Sequence, residues 1–136
     1  SIATITKLNC LLIKKLISKY TNKKIFYKKP NDLLIDKKKI CGILLETRNF
    51  GTVSALVIGI GVNLLSSPNL DQIKNGTIKP GSILGETGIK LDPIDFSELI
   101  AHHYALRENQ LRTMGFSKIR EIWMDRAAKL GKKSTN

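Results

Sequence analysis

Lys39 is the residue with the most chemistry to offer. It opens the run Lys39-Ile40-Cys41-Gly42-Ile43-Leu44-Leu45-Glu46, which is otherwise apolar up to its final glutamate. A fixed ammonium at such a place suits an anion, and it stabilises negative charge that builds up during a reaction. Gly42, three positions on, lets a ligand approach the backbone closely. Strand alternation turns Lys38 away from Lys39, which leaves Lys37 as the second choice. Upstream, Lys28-Lys29-Pro30-Asn31-Asp32 ends one apolar run and precedes another. Pro-Asn-Asp is ordinary turn chemistry, but its amide and carboxylate could also serve phosphates and a divalent cation. Downstream, Gly59-Ile60-Gly61-Val62-Asn63 resembles half a dinucleotide fingerprint. Leu64 occupies the place of the third glycine and no helix signal follows, so a Rossmann reading is weak.

The elements that must position these residues follow from periodicity. Ile5, Leu8, Leu12 and Leu16 recur at helical spacing with Lys14, Lys15 and Lys19 opposite, which predicts an amphipathic helix over 2–20. Short strands are expected at 25–27 and 33–35, the first stopping before Pro30. Longer ones are expected at 40–47 and 52–62, joined by Arg48-Asn49-Phe50-Gly51. Their nearly continuous apolar character predicts cover on both faces. Residues 64–90, rich in Ser, Pro, Asn and Gly, read as a long functional loop. Asp95 reads as an N-cap with Glu98 closing a capping box, and Ile94 and Leu99 as a hydrophobic staple. The helix should run from 96 to 113 and stop at Gly115. A further short helix around Phe116, Ile119, Ile122 and Trp123 and a polar tail from Lys129 complete the order. The fold class is α/β (α+β), with a mixed, largely antiparallel sheet backed by helices.

Composition excludes some classes. The 136 residues suit one domain. No apolar run approaches the ~20 residues of a membrane helix. The chain begins at Ser1 with neither a Met nor a signal peptide, which reads as a piece of a longer protein. Cys10 and Cys41 are the only cysteines and lack metal-binding spacing, so they read as buried thiols of a cytoplasmic protein. The net charge is +12, and residues 1–40 hold eleven Lys against Asp32 and Asp36. Such an excess attracts nucleic acid or acidic partners. Its few aromatics, Tyr20, Phe26 and Tyr27, do not make an interleaved platform, and a Lys-, Ile- and Asn-rich composition explains it more simply. His102 and His103 read as packing or surface residues.

The order and spacing of the three blocks resemble the catalytic domain of biotin–protein ligases. The likeness is strongest from Ile25 to Leu65 and continues to about Ala128. It implies a class II aminoacyl-tRNA-synthetase-like catalytic domain, incomplete here, over residues 1–128. Residues 129–136 would start a linker to a C-terminal β-barrel that this sequence does not contain. It implies an enzyme that uses ATP and Mg²⁺ to activate biotin as biotinyl-5′-AMP. The acyl group would pass to a lysine of the biotin carboxyl carrier domain of acetyl-CoA carboxylase. By the same resemblance Lys39 is catalytic and binds biotin's carboxylate, with Gly42 beside it. Asn31, Asp32, Gly61 and Asn63 serve ATP, and Asn31 and Asp32 the metal. Lys29 stands where the ligases usually carry Trp. Pro80-Gly81-Ser82-Ile83-Leu84 resembles a Pro-Ala-Thr-Ser-Leu stretch on the adenosine side, with Ser82 as its candidate.

The ligases also carry a Gly-Arg-rich loop upstream, which this sequence lacks, so the chain is expected to be inactive alone. Neither a membrane span nor specific DNA binding is expected, and a homodimer is the assembly the resemblance allows. Two alternatives remain open: a lipoate–protein ligase-like adenylating enzyme and a basic nucleic-acid-binding module.

Overall fold

A computed structural model describes residues 2–69 and 77–114, with side chains described as far as residue 109. The order is α1 (Ile2–Ile17), β1 (Phe26–Lys28), β2 (Asp32–Ile35), β3 (Lys38–Phe50), β4 (Val53–Val62), α2 (Ile83–Thr87) and α3 (Pro93–Met114). The four strands form one antiparallel sheet in sequence order. The expected short helix beyond Gly115 and the polar tail lie outside the described residues.

α1 packs on β1, β2 and the start of β3. Its buried face is Thr6, Asn9, Cys10, Leu11, Ile13, Leu16 and Ile17. Ile5, Leu8 and Leu12 are only half-buried. This corrects the expected stripe. So many apolar residues offer several faces at helical spacing, and docking on the sheet selects the one that carries Cys10. The helix stops at Ile17 rather than 20, because Lys19 N–H and Tyr20 N–H bond to Leu16 O and Ile17 O, three residues back. The core joins α1 to Ile25, Tyr27, Leu33, Ile35, Ile40, Cys41, Ile43, Leu64, Ile83, Leu91 and Phe96.

Two tight hairpins set the register. Asp36 and Lys37 both have positive φ (49° and 66°), the geometry of a two-residue turn whose twist matches the flanking strands. Asp36 is also held by Lys23 at 2.7 Å. The second hairpin turns at Gly51 and Thr52, with Gly51 at φ 63° and Phe50 paired to Val53. The strand therefore runs through Arg48-Asn49-Phe50, which the sequence reading gave to a turn. The cover expected on both faces of β3 and β4 is not found: no residue of β4 is buried, and in β3 only Ile40, Cys41 and Ile43 are. Leu44, Phe50, Val53, Leu56 and Val57 are exposed, because α1 covers β1, β2 and only the start of β3 and has at most weak contact with β4.

The 64–90 segment is less irregular than expected. Pro80 forms a parallel bridge with Lys39, and α2 follows, capped by Ser82, whose Oγ accepts the Gly85 N–H at 2.9 Å. α3 begins earlier than predicted. Asp92, not Asp95, is the cap: its Oδ2 accepts the Asp95 N–H at 3.0 Å. Pro93 takes the first helical position, where its fixed φ is already helical. Ile94 is 68% exposed and staples nothing, whereas Phe96 enters the core. The Tyr104 hydroxyl donates to Asn9 Oδ1, tying α3 to α1.

Candidate functional site

The site begins at an irregularity. β2 and β3 pair Asp32 with Gly42 and Leu33 with Cys41, and then Leu34 with Lys39. Ile40 is left without a partner, as the extra residue of a β-bulge. The bulge turns two successive side chains inward: Ile40 and Cys41 are 0% and 2% exposed. It also resets the alternation, so that Lys39 and Gly42 point the same way.

Their contact is close. A methyl group on Gly42 would lie 3.1 Å from Lys39 Cε, 3.2 Å from Lys39 Nζ and 3.6 Å from Asp32 Oδ1. Lys39 Nζ stands 3.1 Å from Asp32 Oδ1. The angles are wrong for a hydrogen bond, and this buried oxygen has no hydrogen-bond partner. Asp32 thus neutralises and aims the ammonium without saturating its donors. Lys38 turns elsewhere, to Glu86 at 3.1 Å. Lys37 sits in the turn.

Lys39 borders a groove of about 410 Å³. Its floor lacks side chains, because Gly42 pairs directly with Gly61 across β3 and β4, and Leu44 pairs with Gly59. Leu44, on the same face as Gly42, adds an apolar side chain, while Ile43 and Ile60 border the groove and turn their side chains to the core. Asn31 also lines it. The three sequence blocks therefore meet around one space. Such a groove admits a flat or extended ligand against bare backbone, with a cation at its edge.

The asparagines are placed differently from one another. Asn31 lines the groove while its Nδ2 donates to Ile43 O at 2.9 Å, and Ile43 N–H returns a bond to Asn31 O at 3.0 Å. Asn63 is not in the groove lining. Its Nδ2 donates to Gly81 O at 3.0 Å and reaches Lys39 O at 3.5 Å. Asp32 meets the groove only through Lys39. Ser82 is buried as the α2 cap. Lys29 is exposed. Glu46 is exposed and pairs with Arg48 at 3.3 Å, away from the site.

Sequence reasoning missed the backbone of Lys79-Pro80-Gly81, which runs beside Lys39. Lys39 N–H donates to Lys79 O and Gly81 N–H to Lys39 O, each at 2.9 Å. No residue type in the sequence marked this bridge; in the structure a methyl group on Gly81 would come within 2.9 Å of Lys38 Cβ.

The titrating groups of the interior lie beneath the site. Burial pushes the thiols of Cys10 and Cys41 up to about 12, and Asp32 adds to both shifts. Burial does the same to Tyr104. His103 lies edge-on to His102 at 5.9 Å. Burial, with nearby Lys19, lowers its pKa. Among the described residues no group of three or more His, Cys, Asp or Glu could cage a metal. No helix there is long and apolar enough to cross a membrane.

Residues 1–63 match the model of the Biotin/lipoate A/B protein ligase family. The chain is 45% identical over 103 residues to a biotin–[acetyl-CoA-carboxylase] ligase of Paracoccus denitrificans, covering 75% of this chain and 43% of that protein. It is 32% identical over 105 residues to the bifunctional ligase/repressor BirA of Bacillus subtilis, covering 75% of this chain and 31% of that protein. The chain thus spans less than half the length of these curated relatives. The fold is similar to that of the apo biotin protein ligase of Aquifex aeolicus, with a TM-score of 0.62, 19% identity, and 86% of this chain and 50% of that one covered. A point mutant of that ligase, solved in complex with biotin, gives a TM-score of 0.63 at 19% identity, over 85% of this chain and 47% of that one. The three blocks, the sheet that brings them together and these likenesses agree: the chain belongs to the biotin/lipoate A/B protein ligase family, among the biotin–protein ligases.

Proposed function

We propose that the protein containing this chain is an ATP-dependent biotin–protein ligase, and that the groove beside Lys39 receives the reacting ends of biotin and ATP. The observation that carries this reading is the Lys39 ammonium, fixed by Asp32 over the bare backbone of Gly42. In the first step a biotin carboxylate oxygen attacks the α-phosphorus of ATP. The bond to the β-phosphate bridge breaks and pyrophosphate leaves. Both reactants are anionic, so their approach is opposed by repulsion that a fixed cation offsets. Lys39 would hold the carboxylate and stabilise the charge growing on the α-phosphate. In the second step a carrier lysine amine attacks the acyl carbon of biotinyl-5′-AMP and AMP leaves.

The other roles follow from position. Gly42 would let biotin's carboxylate reach Lys39, and Gly61 and Asn31 would border the nucleotide. Asn63 lies behind Lys39, outside the groove lining. Asp32 offers one buried oxygen without a hydrogen bond. Asn31 and Asp32, both oxygen donors, are the residues that would hold Mg²⁺. When bound, the metal would neutralise phosphate charge. The carrier would be the biotin carboxyl carrier domain of acetyl-CoA carboxylase, by analogy with the name of the Paracoccus relative. A cytoplasmic location and a homodimer complete the proposal.

The test is titration with non-hydrolysable analogues of biotinyl-5′-AMP and lipoyl-5′-AMP, using the chain and its Lys39→Ala variant. Preference for the biotinyl analogue, weakened at least tenfold by Lys39→Ala, is expected. Preference for the lipoyl analogue would move the chain to the lipoate branch of the family. Equal binding by both proteins would remove Lys39 from the site. Biotin-dependent release of pyrophosphate by the chain tests the expectation that it is inactive alone, and robust turnover would overturn that expectation.

A further inference from the structure

We infer that Asn63 is a positioning residue for Lys39, acting as a clamp on its backbone instead of as a ligand of the nucleotide. The inference rests on the reading of Lys39 given above and adds how that residue is held.

Lys39 stands next to Lys38, the first residue of β3, where a strand would ordinarily fray. On one side it pairs with Leu34 of β2, across the register shift that leaves Ile40 unpaired. A bulged ladder holds its residues less firmly than a regular one. On the other side β4 stops short: its last pair is Val62 with Cys41. The position beside Lys39 that β4 would fill is taken by Lys79-Pro80-Gly81, running parallel to β3. This segment makes both backbone bonds to Lys39, through Lys79 O and Gly81 N–H. It comes from the far side of the 64–90 loop, so something must hold it in place.

Asn63 does so. Its own N–H bonds to Ile40 O at 2.8 Å, and its carbonyl accepts the Ile83 N–H at 2.8 Å. Its side-chain Nδ2 then spans Gly81 O at 3.0 Å and Lys39 O at 3.5 Å. One residue thus touches β3 at Lys39 and at the bulged Ile40, the bridging segment and the first turn of α2. Each amide hydrogen faces a backbone carbonyl that would otherwise lack that partner, and no other side-chain type of this size offers two donors from one atom. Gly81 completes the fit, since a Cβ there would meet Lys38 Cβ at 2.9 Å and Glu86 Cγ at 3.3 Å. The ammonium of Lys39 is aimed by Asp32, and its Cα is fixed by Asn63.

Two measurements on the chain test this. In the first, amide hydrogen exchange is followed in the wild type and in Asn63→Ala, Asn63→Asp and Gly81→Ala. The clamp predicts faster exchange at Lys39 and Gly81 in all three, with the Leu33 and Cys41 amides unchanged. Asn63→Asp should be the worst of the Asn63 variants, since it sets a carboxylate against two carbonyls. The second is a double-mutant cycle of Asn63→Ala with Lys39→Ala, read as affinity for a non-hydrolysable biotinyl-5′-AMP analogue. Asn63→Ala should weaken binding about tenfold in the wild type and have no further effect once Lys39 is gone. A loss of the same size in both backgrounds would show that Asn63 touches the ligand itself, and would overturn the inference. Unchanged exchange at Lys39 and Gly81 would overturn it as well. If the wild type does not bind the analogue, the ligase reading fails and the exchange experiment alone decides the clamp.

Discussion

Lys39 and Gly42 lie three residues apart in one strand, yet they share a face, because Ile40 is bulged out of register with β2. Regular alternation would have put the ammonium and the open backbone on opposite sides of the sheet. The bulge is what lets the lysine stand over the glycine, its Cε and Nζ 3.1 and 3.2 Å from where a Cβ of Gly42 would lie. Several measurable consequences stem from this arrangement and from the core beneath it.

Gly42→Ala should separate fold from site. The added methyl meets only the far end of a flexible side chain, Lys39 Cε and Nζ, apart from the more distant Asp32 Oδ1. The lysine can swing aside, so stability measured by urea unfolding should change by no more than about 0.5 kcal/mol. Affinity for a biotinyl-5′-AMP analogue should fall about tenfold, or about 1.4 kcal/mol. A drop in stability with unchanged affinity would contradict this.

Lys39→Met removes the cation beside Asp32 Oδ1, a buried oxygen with no hydrogen bond. Exposed pairs contribute at most about 1 kcal/mol, and the lysine is 43% exposed on its side chain. Stranding the buried oxygen raises the expected cost to about 1–2 kcal/mol. Asp32→Asn in the same background should recover part of it, because the neutral amide no longer needs a cation. Chemical denaturation of the two single variants and the double variant reads this directly.

Ser82→Ala should cost about 1 kcal/mol, the usual worth of an N-cap. The loss arises because Gly85 N–H would have no acceptor in place of Ser82 Oγ. If Ser82 met the nucleotide instead, its removal would weaken ligand binding and leave the thermal midpoint untouched.

Cys10, Cys41 and Tyr104 make the fold sensitive to alkali. Burial raises both thiols from 9.0 to about 12 and the phenol from 10.0 to about 12. The unfolded chain releases these protons first, so stability falls as pH rises. The contribution is intact below about pH 9 and is lost between there and about pH 12. Thermal midpoints should decline from pH 9 upward, and Cys41→Ala should flatten the decline. A level profile to pH 11 would refute the assignment. For the same reason both thiols should resist alkylation at pH 8 until the protein is unfolded.

Much of this was legible in the sequence for local reasons. Lys39 announced itself as the one charge opening an apolar run, and the glycines of two separate blocks do meet as Gly42 and Gly61. The strands appeared because β-prone runs broken by Pro30, Asp36 and Gly51 leave few alternatives. The buried face of α1 was misjudged because Ile5, Leu8 and Leu12 are as apolar as the residues that won, and only the sheet decides between them. Asp92 was overlooked as a cap in favour of Asp95, although Pro93 just after it was the stronger mark. The bulge at Ile40 and the bridge at Pro80 were invisible, since each depends on a partner strand and no residue type announces it. Asn63 was singled out as chemistry-bearing, but only the distances show which groups its amide holds.

The outer half of the β3–β4 hairpin has a consequence for handling the protein. β4 forms one edge of the described sheet. From Val53 to Val62 its sequence has no charge and no proline, and Val53, Leu56 and Val57 are exposed. Natural edge strands usually carry a lysine, a proline or a kink that keeps other chains from adding on. This one carries none, so in this chain on its own it can template cross-chain β-pairing, and the +12 charge supplies the opposing colloidal repulsion. Salt that screens this charge should therefore bring the protein closer to precipitation, and dilute, low-ionic-strength buffer should keep it dispersed.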